Sequence, residues 1–306
     1  MTPAIVIGIL AGALASSASV LYASLGELIG ERGGVVNLGV EGEMLIGAAL
    51  GFGAVAITGN ALLGIVAAAI AGGTFNMILA YLVVSRRANQ LASGIAIWIL
   101  GAGLSTLIGS QLVGKRIDGL QRLELPVLSA LPGGAAQLFD QDILVYLMVP
   151  TAVLIWWVLF HTRWGLHLRA VGEDQGTAVA AGLRPSVLLY QALWLAGALA
   201  GIGGAQLAIA YTKTWQEGMT AGRGFLAVVI VIFALWSPMR VVLGALVFGA
   251  AVAFGLALQA RGASTSPFLL DMLPYLVTIA VALLGARARA FTVPAGLKAV
   301  FEGTAR

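Results

Sequence analysis

Cysteine is absent from the 306 residues, histidine occurs only at His161 and His167, and charged residues make up 10%. The first absence excludes disulfides and thiolate metal sites, and two histidines without further ligands make a poor metal centre. The shortage of charge excludes more, because soluble domains carry about 25% charged residues. Hydrophobic residues reach 60% instead, which leaves almost no room for a water-soluble fold. The net charge of +4 comes from basic residues scattered between apolar runs. They form no stripe, and nothing in their placement speaks for nucleic acid.

What fills the chain is a succession of apolar stretches: 4–25, 43–57, 62–84, 91–113, 143–160, 187–211, 225–236, 241–258 and 269–284. A hydrocarbon core about 30 Å thick requires roughly 20 apolar residues per helix. Backbone groups in lipid must be satisfied internally, and strict apolar and polar alternation is missing, so helices are expected rather than a barrel. The fold class expected is all-α, polytopic, with about 8–10 transmembrane helices including broken or re-entrant segments. The first stretch lacks the basic flank of a signal peptide and reads as a retained helix. No linker rich in Pro, Ser or charge divides residues 1–306, which predicts one membrane domain.

Lysine and arginine resist translocation and mark the cytoplasmic side. One assignment gathers Arg86, Arg87, Arg163, Arg169, Arg184, Arg240, Arg287, Arg289, Lys298 and Arg306 inside. It leaves Lys115, Arg116, Arg122, Lys213, Arg223 and Arg261 on the other face, and predicts a cytoplasmic C-terminus. Nine crossings place the N-terminus outside, while eight or ten remain open.

Two Gly-rich polar stretches, Gly26 to Gly42 and Trp215 to Gly224, adjoin short apolar runs. Paired broken segments of this kind mark transport sites in repeat-built carriers. Asn37, Glu41 and Glu43 stand where a membrane segment begins, and an ionised residue at mid-bilayer costs roughly 2.5 to 3.5 kcal/mol. Asn37 and Glu41 are expected either to line a cavity or to lock the bend of a broken helix, with headgroup water as the plainer alternative. Asn76, Asn89, Gln90 and Ser93 supply amide and hydroxyl groups suited to a polyhydroxylated ligand. The same groups also serve as ordinary contacts between membrane helices. Gly8 with Gly12, Gly47 with Gly51, and Gly197 with Gly201 predict close helix packing. Trp98, Trp156, Trp157, Trp194 and Trp236 read as packing or interfacial anchors. Gly109 to Arg116 nearly repeats a phosphate-binding loop, but Arg116 stands where a hydroxyl must ligate magnesium. If ATP drives this protein, another subunit binds it.

The segment Thr162 to Pro185 carries a short helix of its own. Asp174 is a natural N-cap, Ala178 to Ala181 favour helix, Gly182 supplies a left-handed stop, and Pro185 prevents continuation. Small side chains there suit a groove on a partner protein, with Arg169, Glu173 and Asp174 as orienting charges.

Glu27 to Gly42, Gly165 to Asp174 through Gly182, and Gly218 to Phe225 with Trp236-Ser-Pro238 together resemble bacterial ATP-binding-cassette importer permeases for nucleosides and simple sugars. They lie within the branched-chain amino acid, ribose and nucleoside permease superfamily. The resemblance spans nearly the whole chain, and the versions around Glu41 and Gly218 to Phe225 are similar to the nucleoside branch. It implies one transmembrane permease domain, 1–306, in the bacterial inner membrane, with a cytoplasmic coupling loop at 161–187. It further implies a second permease subunit, often non-identical, a cytoplasmic ATP-binding subunit that holds ATP and magnesium, and an extracytoplasmic substrate-binding lipoprotein. No cofactor and no catalytic residue are expected in this chain. By that likeness Asn37, Glu41 and Arg223 lie near the substrate path, to which Asn76, Asn89 and Ser93 are added for their amide and hydroxyl chemistry and Thr220 as part of the second broken segment. Arg169, Gly172, Glu173, Asp174, Ala178 and Gly182 couple to the ATPase. Branched-chain amino acid or other small-solute permeases, a non-transporting scaffold or receptor, and an ion-coupled carrier are the alternatives.

Overall fold

The computed structural model describes residues 3–123, 132–261, 266–285 and 294–297; Arg287, Arg289, Lys298 and Arg306 lie outside them. Eleven α-helices follow one another among the described residues: α1 Pro3–Arg32, α2 Val40–Thr58, α3 Ala61–Ala80, α4 Gln90–Gly109, α5 Ile143–His161, α6 Arg163–Glu173, α7 Gln175–Ala180, α8 Pro185–Ala205, α9 Arg223–Phe233, α10 Pro238–Gln259 and α11 Pro267–Gly285. Two-residue strands, β1 Arg122–Leu123 and β2 Gln141–Asp142, pair antiparallel. Two π-helical turns, Tyr81–Ser85 and Gln206–Tyr211, extend α3 and α8. Seven helices are long and apolar enough to cross a membrane, and Arg223–Phe233 and Phe268–Ala280 are shorter apolar pieces. The protein is an all-α polytopic membrane protein.

Local chemistry sets the helix ends. Asn60 accepts hydrogen bonds from the Leu62 and Leu63 amides at 2.9 and 3.3 Å and starts α3, while Gly59 closes α2 in the left-handed conformation. Asp142 starts α5 through the Leu144 and Val145 amides. Pro185 and Pro238 occupy first-turn positions of α8 and α10, where the missing N–H costs nothing.

Helix α1 is central, packing on α8 and α10, and α3 lies along α8. These contacts are backbone on backbone. A methyl group at Gly72 would sit 2.2 Å from the Gly197 carbonyl oxygen, and one at Gly47 would sit 2.4 Å from the Gly201 Cα. The packing expected of Gly47 and of the Gly197 and Gly201 pair is therefore present. Gly8 differs, because its nearest neighbour is Gln137 Oε1 at 3.9 Å.

Helices α5 and α8, with its π turn, are each long and apolar enough to cross a membrane, which puts the α6–α7 segment between them on one face. The α4–α5 connection and residues 211–213 lie on the other. Helix α1 runs toward the α6–α7 face and does not stop at Leu25 as its apolar stretch does. It continues to Arg32, because Gly26 and Gly30 let α8 cover the polar turn. A Gly26 methyl would meet the Ala196 carbonyl oxygen at 2.4 Å. That extension draws Glu27 and Glu31 into the protein interior, where they are 1% and 0% exposed.

Candidate functional site

Two interruptions of helix meet inside the bundle. After Arg32 the chain turns back, and residues 35–37 are buried although they are not helical. Non-helical backbone is tolerated at membrane depth only when protein satisfies it. Side chains do so here. The Val36 amide donates to Gln90 Oε1 at 3.0 Å, the Asn37 amide to Glu27 Oε1 at 2.8 Å, and the Gly39 amide to Asn37 Oδ1 at 2.7 Å. The second interruption, 212–222, leads into α9, whose 11 residues rise about 17 Å, roughly half the hydrocarbon core.

Glu41 joins the two. Its Oε1 accepts from Thr220 Oγ1 at 2.6 Å and from the Gly222 amide at 2.7 Å, and its Oε2 accepts from the Gly224 amide at 2.6 Å. The carboxylate therefore caps α9 from another helix, meeting the positive end of the helix dipole and three donors that have no helical partner. Gly222 enters α9 at φ +84°, and a methyl at Gly224 would press on Glu41 itself at 2.4 Å. Glycine is required at both places.

Beside this lock lies a group of carboxylates, of which sequence reasoning singled out Glu43 but not Glu27 or Glu31. Asn37 Nδ2 donates to Glu43 Oε1 at 2.6 Å and stands 3.5 Å from Asn76 Oδ1, and Asn76 donates to the Leu193 carbonyl at 2.7 Å. Trp236 Nε1 donates to Glu31, while Arg32 reaches the Trp236 carbonyl at 2.7 Å. Trp236 is 1% exposed and serves as an internal tie. Glu27 Oε2, Glu31 Oε1 and Glu43 Oε2 have no partner, and among the described residues the single ion pair lies elsewhere, between Arg122 and Asp140. The sequence signal for Glu27 and Glu31 was their spacing of four, which puts both on one face of a helix.

Arg223 points the other way. It donates to Ser19 Oγ at 3.0 Å and stands 5.9 Å from the centre of the Tyr211 ring, while Ser16 donates to the Tyr211 hydroxyl at 3.1 Å. The structure thus brings Asn37, Glu41, Asn76, Thr220 and Arg223 into one connected region. Ser93 is buried one residue from Gly94, where α4 crosses Leu38. Asn89 is exposed and caps α4 through the Ala92 amide at 3.0 Å.

On the α6–α7 face, Asp174 accepts from the Thr177 amide and starts α7. That bond holds its carboxyl below the ordinary carboxylate range. Gly182 ends the turn at φ +80°. Ala178 is buried against the membrane helices, and the large exposed apolar side chain of α7 is Val179. Arg169 and Arg32 lie 4.9 and 5.2 Å from the Phe160 ring centre, both within cation–π range. Gly172 touches the end of α1, since a methyl there would meet the Arg32 carbonyl oxygen at 2.2 Å. Glu173 accepts from the Ala295 amide at 3.1 Å, and Leu297 is fully buried. The 294–297 segment is therefore on this same face.

A polytopic helical bundle whose broken helices are held by buried carboxylates belongs among membrane proteins that keep polar backbone at depth. This chain matches the family described as branched-chain amino acid transport system, permease component, over residues 7–282, and it belongs to that family: it is a permease subunit. It is 36% identical over 296 residues, 90% of each chain, to a Haloferax volcanii protein with the provisional name glucose ABC transporter permease. It is 32% identical over 295 residues, 89% of this chain and 90% of the other, to the nucleoside ABC transporter permease of Lactococcus lactis subsp. cremoris. With the guanosine ABC transporter permease of Bacillus subtilis it shares 31% over 286 residues, 87% and 88% of the two chains.

Proposed function

We propose that this permease is the membrane half of an ATP-binding-cassette importer carrying a nucleoside or a simple sugar across a bacterial inner membrane. Relatives named for guanosine, nucleosides and glucose, each aligned over nearly its full length, carry that reading. In it ATP and magnesium are bound by a cytoplasmic subunit that seats against 161–187, with Arg169, Gly172, Glu173, Asp174 and Gly182 shaping the contact and Val179 presented outward from above Ala178. A second permease subunit completes the path, and an extracytoplasmic lipoprotein delivers the solute. The 294–297 segment shares a face with Glu173, which supports a cytoplasmic C-terminus.

The mechanism follows from the Glu41 lock. ATP-driven closure of the partner pulls α6 and α7, and α6 touches α1 at Arg32 through Gly172. Helix α1 carries Glu27, Glu31 and Ser19, which hold the 35–37 turn, Trp236 and Arg223. Displacing α1 therefore loads both ends of α9, and the path opens where Asn37, Glu41, Asn76, Ser93, Thr220 and Arg223 gather. The test is uptake into proteoliposomes holding the complete complex, with guanosine, uridine, glucose and leucine, with and without ATP. ATP-dependent uptake of a nucleoside or sugar is expected. Uptake of leucine alone would move the substrate to amino acids, and uptake that persists without ATP would make this an ion-coupled carrier.

A further inference from the structure

A polar cavity sits on the face opposite α6 and α7, between the first half of α1, the β1–β2 pair and the π turn that ends α8. It measures about 690 Å³. Arg122, Asp140, Asp142, Gln137, Tyr211 and Lys213 supply its polar lining. Two cations balance two carboxylates. Arg122 and Asp140 neutralise each other at 2.8 Å, and Asp142 spends Oδ1 on the first turn of α5. No strong net field is left to select an ion, while donors and acceptors both remain on offer. Such a mixture suits hydroxyl groups, which donate and accept at once. The opposite wall is made of small residues of α1, among them Gly8 and Ala11, and accepts a flat ring.

One observation marks the π turn beside this cavity, and a second ties the cavity to the lock. Gln206, fully buried on the π turn one helical turn before Ala210, has an Oε1 with no partner, although its Nε2 donates to the Ala15 carbonyl at 3.3 Å. Buried polar atoms are rarely left so, and π turns gather at functional sites. Tyr211 lines this cavity, whereas Arg223 lines a second one of about 240 Å³ beside Tyr275. The Tyr211–Arg223 contact is thus the wall between them, and Arg223 follows directly after the Gly222 that Glu41 holds.

We propose that the 690 Å³ cavity is a binding site within this single chain for a neutral, polyhydroxylated ring solute, with Tyr211 as its floor and the Tyr211–Arg223 contact as the gate to the Glu41 lock. The proposal rests on the transport reading and adds to it a place and a ligand chemistry. A zwitterionic amino acid fits poorly, because Asp140 is already paired and Asp142 is already engaged.

The full chain in lipid nanodiscs, without partners, is titrated with uridine, guanosine, glucose, leucine and inorganic phosphate by calorimetry. At least one of the first three is expected to bind. Gly8→Leu, which grows into open space toward Gln137, and Gln137→Ala, at the exposed rim, should weaken it by about tenfold and about threefold, with helix content unchanged by circular dichroism. Binding of leucine or phosphate in place of the polyols, no binding at all, or equal affinity in Gly8→Leu overturns the proposal. Uptake by the complete complex separates the two readings. Polyol binding that Gly8→Leu abolishes, in a complex that moves none of these solutes, upholds the site and sinks the transport reading. Full-rate uptake by Gly8→Leu upholds transport and sinks the site.

Discussion

Helices α7 and α9 both begin on a carboxylate, but under opposite conditions. Asp174 immediately precedes α7, is exposed, and accepts from an amide three residues on. Glu41 caps α9 from 179 residues away, through Thr220, and is 4% exposed. The bonds are chemically alike, yet their replaceability differs. When a surface cap is removed, water takes over the freed donor. When Glu41 is removed, three donors lose their acceptor, and the two that are buried, on Thr220 and Gly224, have nothing to turn to and pay the full desolvation penalty. The inner cap holds the fold together, while the outer one shapes a contact.

Substitutions can test that contrast, beginning with the greatest expected loss. Glu41→Ala should destabilise the purified protein by about 3 kcal/mol or more, since each buried donor left unpaired costs about 1–3 kcal/mol. Thermal unfolding in detergent measures it, and ATP-dependent uptake should fall to the level seen without ATP. A wild-type melting curve for Glu41→Ala would mean that the remote cap does not hold the break. Gly201→Val asks whether the packed helices are equally intolerant. A side chain there meets the Ala68 carbonyl oxygen at 2.2 Å, so overpacking should cost about 1–3 kcal/mol on the same assay.

Asp174→Ala should leave the melting curve close to wild type and lower uptake per ATP hydrolysed, because it frays only the exposed end of α7. Its pH dependence has a definite sign. The Thr177 amide lowers the Asp174 carboxyl in the folded protein, so the cap contributes fully above the ordinary carboxylate value and is lost as pH falls through the lowered one. The small difference in melting between wild type and Asp174→Ala should be present at neutral pH and vanish in strong acid. The smallest effect is expected from Glu43→Gln. It keeps an oxygen for Asn37 and replaces an unpartnered Oε2, so stability should hold or rise slightly. A large loss would show that Glu43 needs its charge.

The same contrast explains what the sequence made legible. Asp174, Gly182 and Pro185 were readable because cap, stop and breaker act within a few residues of each other. The apolar helices were readable because lipid imposes a length. Asn37 and Glu41 stood out as costly groups at membrane depth, and in the structure their side chains hold the two helix breaks. Their partners Thr220, Gly222 and Gly224 are set by tertiary contact, and no local pattern pairs them with position 41. Glu27 and Glu31 were missed because charge at the end of an apolar run reads as the headgroup boundary. Only the cover from α8 over Gly26 reveals that the helix continues inward. Asn89 shows the converse, a polar residue near the membrane whose task is to start its own helix.

The meeting of α2, α3 and α8 at Gly201 has a mechanical corollary. Main chain there abuts main chain, with Gly47, Ala68 and Gly72 as neighbours, so no side chain can swing aside to absorb a displacement. Atoms at van der Waals limit transmit force stiffly, and the trio behaves as a chassis. Any stroke the protein makes has to be taken up by pieces bolted to that chassis through few fasteners, and α9, pinned at one end by a single carboxylate, is one of them.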